Sequence, residues 1–182
     1  MFRRTVGALV IGLIALVGVA VTPTAGATEA RPAVITITYD DSQAQEYTAE
    51  ITKAIQNWND SVDNVEIKKA SGGQATVTFI SDPGWPRAEI GPAMPGDSLR
   101  IWMGKQAVDE GHDITRIAAH EFGHSLGLPD TKPGPCSQLM SGSTGGVDCK
   151  NAFPDAQEKA AVESNYQNLR AASHAPRVVV VG

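Results

Sequence analysis

The chain has 182 residues, 15 basic and 20 acidic, for a formal net charge of −5. An acidic chain with no basic cluster argues against nucleic acid as a partner, and no segment beyond residue 21 is apolar enough to span a bilayer. The N-terminus reads as a leader rather than as fold. Met1-Phe2-Arg3-Arg4 is basic, Val6 to Val21 is nearly unbroken apolar, and Ala25-Gly26-Ala27 offers small residues for cleavage. The apolar run carries Gly7, Gly12 and Gly18 and falls short of the roughly 20 residues of a membrane span. A signal peptide over 1–27 is therefore expected, with export to the extracellular space and no membrane contact after its removal. Residues 28–33 are expected to be a short pro-segment or linker, 34–172 one folded domain, and 173–182 a tail with no assigned role. That length is sufficient for a core of ordinary size.

Ala33 to Tyr39 is rich in β-branched residues and predicts a strand. Ser42 with Gln45 three residues later has the form of a capping box. After it, Tyr47, Ile51, Ala54, Ile55 and Trp58 recur at helical spacing, which predicts an amphipathic helix over 43–59. Asn59-Asp60-Ser61 matches a glycosylation sequon, a weak pattern on its own. Short strands are predicted at 65–67 and 75–80, on either side of a Gly72-Gly73 turn. Residues 82–98, with many prolines and glycines, predict a surface loop. Leu99 to Met103 resumes as a strand, and a helix follows over 114–126. Residues 129–152 predict irregular chain. Pro154 is placed to open a last helix, with Val162, Tyr166 and Leu169 on one stripe.

The only cysteines are Cys136 and Cys149. In an exported chain, a minimal even count points to one disulfide. Zinc thiolates would call for closer spacing and more cysteines.

Chemistry concentrates in His120-Glu121-Phe122-Gly123-His124-Ser125-Leu126-Gly127-Leu128-Pro129-Asp130. On a helix, residues four apart lie about 40° from each other on one face, so both imidazoles can reach one zinc ion. Glu121 lies on the adjoining flank, placed to take a proton from water rather than to bind metal. Ile114, Ala118, Phe122 and Leu126 form an apolar stripe roughly opposite the two histidines, so one face can pack while the other lines a cleft. Gly127 can end the helix in a left-handed conformation and bring Asp130 back as a third ligand. A catalytic zinc needs three protein ligands and one open position. The bland alternative is two surface histidines without metal.

The segment from Gly111 to Asp130, with the Pro135-Cys136 region, Gln138-Leu139-Met140-Ser141-Gly142 and Cys149, resembles the snapalysin family of small secreted bacterial zinc proteases. The aspartate that closes the eleven-residue motif is the mark of this metzincin-like family. The resemblance implies an α+β fold: a small twisted mixed sheet, a long back helix, an active-site helix and a C-terminal helix. It makes 34–172 a zinc metalloprotease domain. It implies a catalytic zinc on His120, His124 and Asp130, a Met-turn at Met140 and a Cys136–Cys149 pair. Met140 alone could equally be core filler. The resemblance also implies a structural calcium at Asp113 and Thr115, although Asp113 reads as well as a helix N-cap. Two residues after the aspartate the family commonly has tyrosine, placed to support an oxyanion. Here that position is Lys132. Its ammonium could take the same role, or be a solvated loop charge.

The expected function is hydrolysis of peptide bonds in protein or peptide substrates by a monomeric enzyme. Glu121 acts as general base. The substrate is expected to lie extended along a sheet edge, with strand 99–103 as the candidate. The resemblance implies an aromatic residue just after the cut. The competing class is a non-catalytic secreted zinc-binding protein on the same fold. The intact Glu121 speaks against it, because metal binding alone needs no base there.

Overall fold

A computed structural model describes residues 34–174, and side chains as far as 169. The expected leader, the 28–33 linker and all but the first residues of the tail lie outside the described residues.

Strand β1 (Ile35–Gln43) buries Ile37, Tyr39 and Asp41, the two-residue period of a strand with one covered face. The inward carboxylate of Asp41 is matched by the Lys69 ammonium, 2.8 Å away. The expected capping box at Ser42 does not form. Strand pairing continues to Gln43, which sits opposite Ile80. The Ser42 hydroxyl instead donates to Asp40 Oδ2 at 2.8 Å. Helix entry is made by a 3-10 turn, Gln45–Tyr47, leading into α1 (Thr48–Asn59). Sheet hydrogen bonds thus override the local capping signal. At the far end of α1, the Asn59 amide pairs with both backbone groups of Ile67, at 2.9 Å each. The sequon side chain is already fully engaged there.

Strands β2 (Val65–Lys69), β3 (Val77–Asp82), β4 (Arg87–Ala88) and β5 (Leu99–Gly104) complete a five-stranded sheet in the order β2-β1-β3-β5-β4. Pairings β1–β2, β1–β3 and β3–β5 are parallel, and β4 runs antiparallel to β5. This corrects the loop expected over 82–98. Ala88 and Arg87 pair with Ile101 and Trp102, so β4, not strand 99–103, forms the outer edge there. A two-residue strand next to Pro86 has too little length to show any periodicity.

Three helices follow: α2 (Lys105–Asp109), which the sequence did not announce, α3 (Ile114–Ser125) and α4 (Ala156–His174). Between α3 and α4 the chain is irregular apart from a 3-10 stretch, Leu139–Gly145. Helix α4 starts two residues after Pro154. Its first turn is closed by a reciprocal cap: Asp155 Oδ1 accepts the Glu158 N–H at 2.9 Å, and Glu158 Oε2 accepts the Asp155 N–H at 2.6 Å. Val162 and Tyr166 of α4 are fully buried.

The core joins sheet to helices through Phe79 of β3, which stacks on Phe122 of α3 with ring centres 6.0 Å apart. Trp58 of α1 donates its indole N–H to Ala119 O at 2.9 Å, tying α1 to α3. Ala118, Phe122 and Leu126 are all fully buried, as the apolar stripe required. The architecture is the expected α+β one, a mixed sheet with α1 and α3 packed together.

Candidate metal centre

Asp113 holds the extended conformation of an N-cap, and its Oδ1 accepts the Arg116 N–H at 2.9 Å. Helix α3 ends in a Schellman turn. The Leu128 N–H reaches Gly123 O at 3.0 Å, and the Gly127 N–H reaches His124 O at 2.9 Å. Gly127 has φ +91°, in the left-handed region expected from the sequence. The reversal swings the chain back over the histidine face and delivers Asp130.

The donor atoms of His120, His124 and Asp130 all lie within 4.8 Å of one another, the one such triple among the described residues. Asp130 Oδ1 is 3.2 Å from His120 Nε2 and 3.6 Å from His124 Nε2. Each imidazole is oriented from behind. His120 Nδ1 donates to Leu139 O at 3.0 Å, and His124 Nδ1 donates to Leu128 O at 2.8 Å. With both Nδ1 atoms engaged, both Nε2 atoms face the carboxylate. A shared proton can satisfy one pair of these three donors; a divalent cation satisfies all three. This is how metal-ligating histidines are held, and the donor set of two imidazoles and one carboxylate suits zinc.

Glu121 is buried beside this cluster, and its Oε2 has no hydrogen-bond partner among the described residues. Burial pushes its carboxyl up to about 7, against the opposing pull of His120 and Lys132. Burial likewise lowers His124. Asp130 is held well below the usual carboxylate range, by His120 first and also by Lys132. Lys132 Nζ stands 3.1 Å from Asp130 Oδ2. These groups line a cleft whose other wall is Trp85, Pro86 and Arg87. Arg87 is fixed there by a two-point contact with Asp82 and by lying 4.6 Å over the Trp102 ring.

Met140 is buried under the centre, its sulfur against Gly123 of the histidine helix. Cys136 and Cys149 are paired. Asp113 belongs to no group of three His, Cys, Asp or Glu side chains placed to share a metal ion among the described residues. Asp113 Oδ1 is used by the cap, and Oδ2 has Lys150 Nζ at 3.9 Å.

Two residues of the centre escaped the sequence reading. Arg116 is buried and donates to Asn151 O at 2.6 Å, Gln138 O at 2.9 Å and Ser141 Oγ at 2.9 Å. Its signal was a charge four residues before His120, on the same helix face. Glu158 is buried and accepts the N–H groups of Leu139 and Met140. Its signal was the Asp155-to-Glu158 spacing of a capping box.

Residues 34–168 match the family described as Streptomyces extracellular neutral proteinase, M7. An extracellular small neutral protease of Streptomyces caespitosus is 40% identical over 134 residues, 74% of this chain and 98% of that protein. Its namesake from Streptomyces coelicolor is 37% identical over 134 residues, and the chain spans 60% of that protein's length. Among solved structures, archaemetzincin from Methanopyrus kandleri aligns with a TM-score of 0.49 at 11% identity, covering 74% of this chain and 96% of that one. With the family match running from β1 into α4, the chain belongs to the M7 peptidase family.

Proposed function

We propose that this protein is a secreted neutral zinc endopeptidase, with His120, His124 and Asp130 as the metal ligands and Glu121 as the general base. The observation that carries the assignment is the convergence of the three donor atoms, with both imidazoles held through Nδ1. When bound, zinc polarises the scissile carbonyl and lowers the pKa of water towards about 7. Glu121, buried and with Oε2 unpaired among the described residues, takes the proton of the attacking water and passes it to the leaving amine. A substrate lying extended along the outer edge at β4 would bring its peptide bond over Glu121, beside the Trp85–Arg87 wall. Lys132, in the same cleft, supplies a cation for the developing oxyanion. We also propose a structural calcium at Asp113 and Thr115, with Asp113 Oδ2 as the oxygen that the cap leaves over.

The deciding experiment is hydrolysis of casein by the mature protein, with and without a zinc chelator. Activity lost on chelation and restored by zinc is expected. Stoichiometric zinc without hydrolysis would favour the non-catalytic binding protein instead.

A further inference from the structure

The loop beneath the metal centre is gripped by two buried charges of opposite sign. Arg116 of α3 takes its carbonyls, Gln138 O at 2.9 Å and Gly142 O at 3.4 Å. Glu158 of α4 takes its amides, Leu139 N at 3.1 Å and Met140 N at 2.7 Å. The cation and anion do not touch; the loop backbone passes between them. One peptide group in this loop has two tasks. The N–H of the Leu139–Met140 peptide donates to Glu158, and its C=O accepts from His120 Nδ1. A carboxylate on the N–H side polarises the peptide and makes its carbonyl a stronger acceptor. It also fixes the plane of that peptide, and hence the direction in which the His120 ring is drawn.

We propose that Glu158 is a positioning residue for His120, acting through the Leu139–Met140 peptide, so that α4 sets the aim of a metal ligand on α3. The proposal rests on the reading of His120 as a zinc ligand. Helix capping alone accounts for one of the three N–H groups that Glu158 accepts, that of Asp155. The two from the loop have no part in a cap. Partners behind metal-bound histidines are worth about 10–100-fold in metal affinity, and a carboxylate one peptide further back acts on the same ring.

The test measures zinc affinity by chelator competition, together with the visible spectrum of the cobalt-substituted protein, which reports the ligand field directly. Glu158→Ala should weaken zinc binding about 10-fold or more and alter the cobalt spectrum. Glu158→Gln keeps one acceptor oxygen and the side-chain volume, and should recover part of both. It carries the test alone if the alanine variant does not fold. Asp155→Ala removes the cap from its other side; it should lower the thermal midpoint while leaving zinc affinity and the cobalt spectrum unchanged. Wild-type affinity and spectrum in both Glu158 variants, or in Glu158→Gln alone should the alanine variant not fold, would overturn the proposal. His120→Ala separates the two levels. If His120→Ala leaves zinc binding intact, the site assignment itself falls. If it abolishes binding while the Glu158 variants change nothing, only the positioning role falls.

Discussion

The two ends of the metal centre are built differently. His120 and His124 stand on a helix packed into the core, and each is oriented by a backbone carbonyl. Asp130 comes from an exposed turn, and its second oxygen is held by an equally exposed lysine. Core packing thus fixes the two neutral ligands, while the anionic ligand is fixed by the reversal at Gly127 and by a surface ion pair. Such pairs contribute only about 0–1 kcal/mol. The helix side should therefore tolerate little change, and the turn side more.

The largest effect should come from the helix side. Glu121→Gln is expected to retain about one zinc per chain and the wild-type fold, while kcat/KM falls by ~10²–10⁴-fold. Metal analysis beside a casein assay checks both, and near-native turnover would remove Glu121 as the base.

Next is the support behind the helix. Arg116→Met takes the side-chain donor from Asn151 O, leaves Gln138 O with the Ser141 hydroxyl alone, and leaves Glu158 buried without its compensating cation. Breaking buried charged contacts of this kind costs about 3–5 kcal/mol. A urea denaturation midpoint within error of wild type would show that the loop holds itself.

The turn side should give less. Lys132→Ala is expected to lower kcat roughly tenfold with KM little changed, part of the ~10²–10³ that a full oxyanion donor supplies. Zinc affinity should move only slightly, as the exposed contact to Asp130 implies. An unchanged kcat would leave Lys132 as a solvated loop charge.

The smallest expected effect is that of calcium. If Asp113 and Thr115 bind it, the thermal midpoint should rise by a few degrees, roughly the shift that 1 kcal/mol gives in a domain of this size, with zinc content constant. No shift over a millimolar calcium titration would leave Asp113 as a cap alone.

The same contrast explains what the sequence disclosed. The histidines, Glu121, Gly127 and Asp130 lie within eleven consecutive residues, and helical spacing with one glycine reversal is a local code. Asp113 as cap and the Ala118–Leu126 stripe were legible for the same reason. The carbonyls behind the histidines were not, because Leu139 reaches His120 only once the loop is folded beneath α3. Strand β4 was hidden because its two residues are ordered by β5 rather than by their own pattern. Ser42 misled because a capping signature is a short-range preference, and pairing of Gln43 with Ile80 outweighed it.

The disulfide encloses the most delicate part of the molecule. Val147, 46% exposed in the loop between Cys136 and Cys149, offers an accessible bond to any protease that shares the medium. A cut there would free the loop's backbone but not its ends. Both pieces would stay joined through sulfur, with Leu139 and Met140 still under His120. Proteolysis at this loop would then be silent: the nicked chain would keep its activity and migrate as one species, revealing two fragments only after reduction.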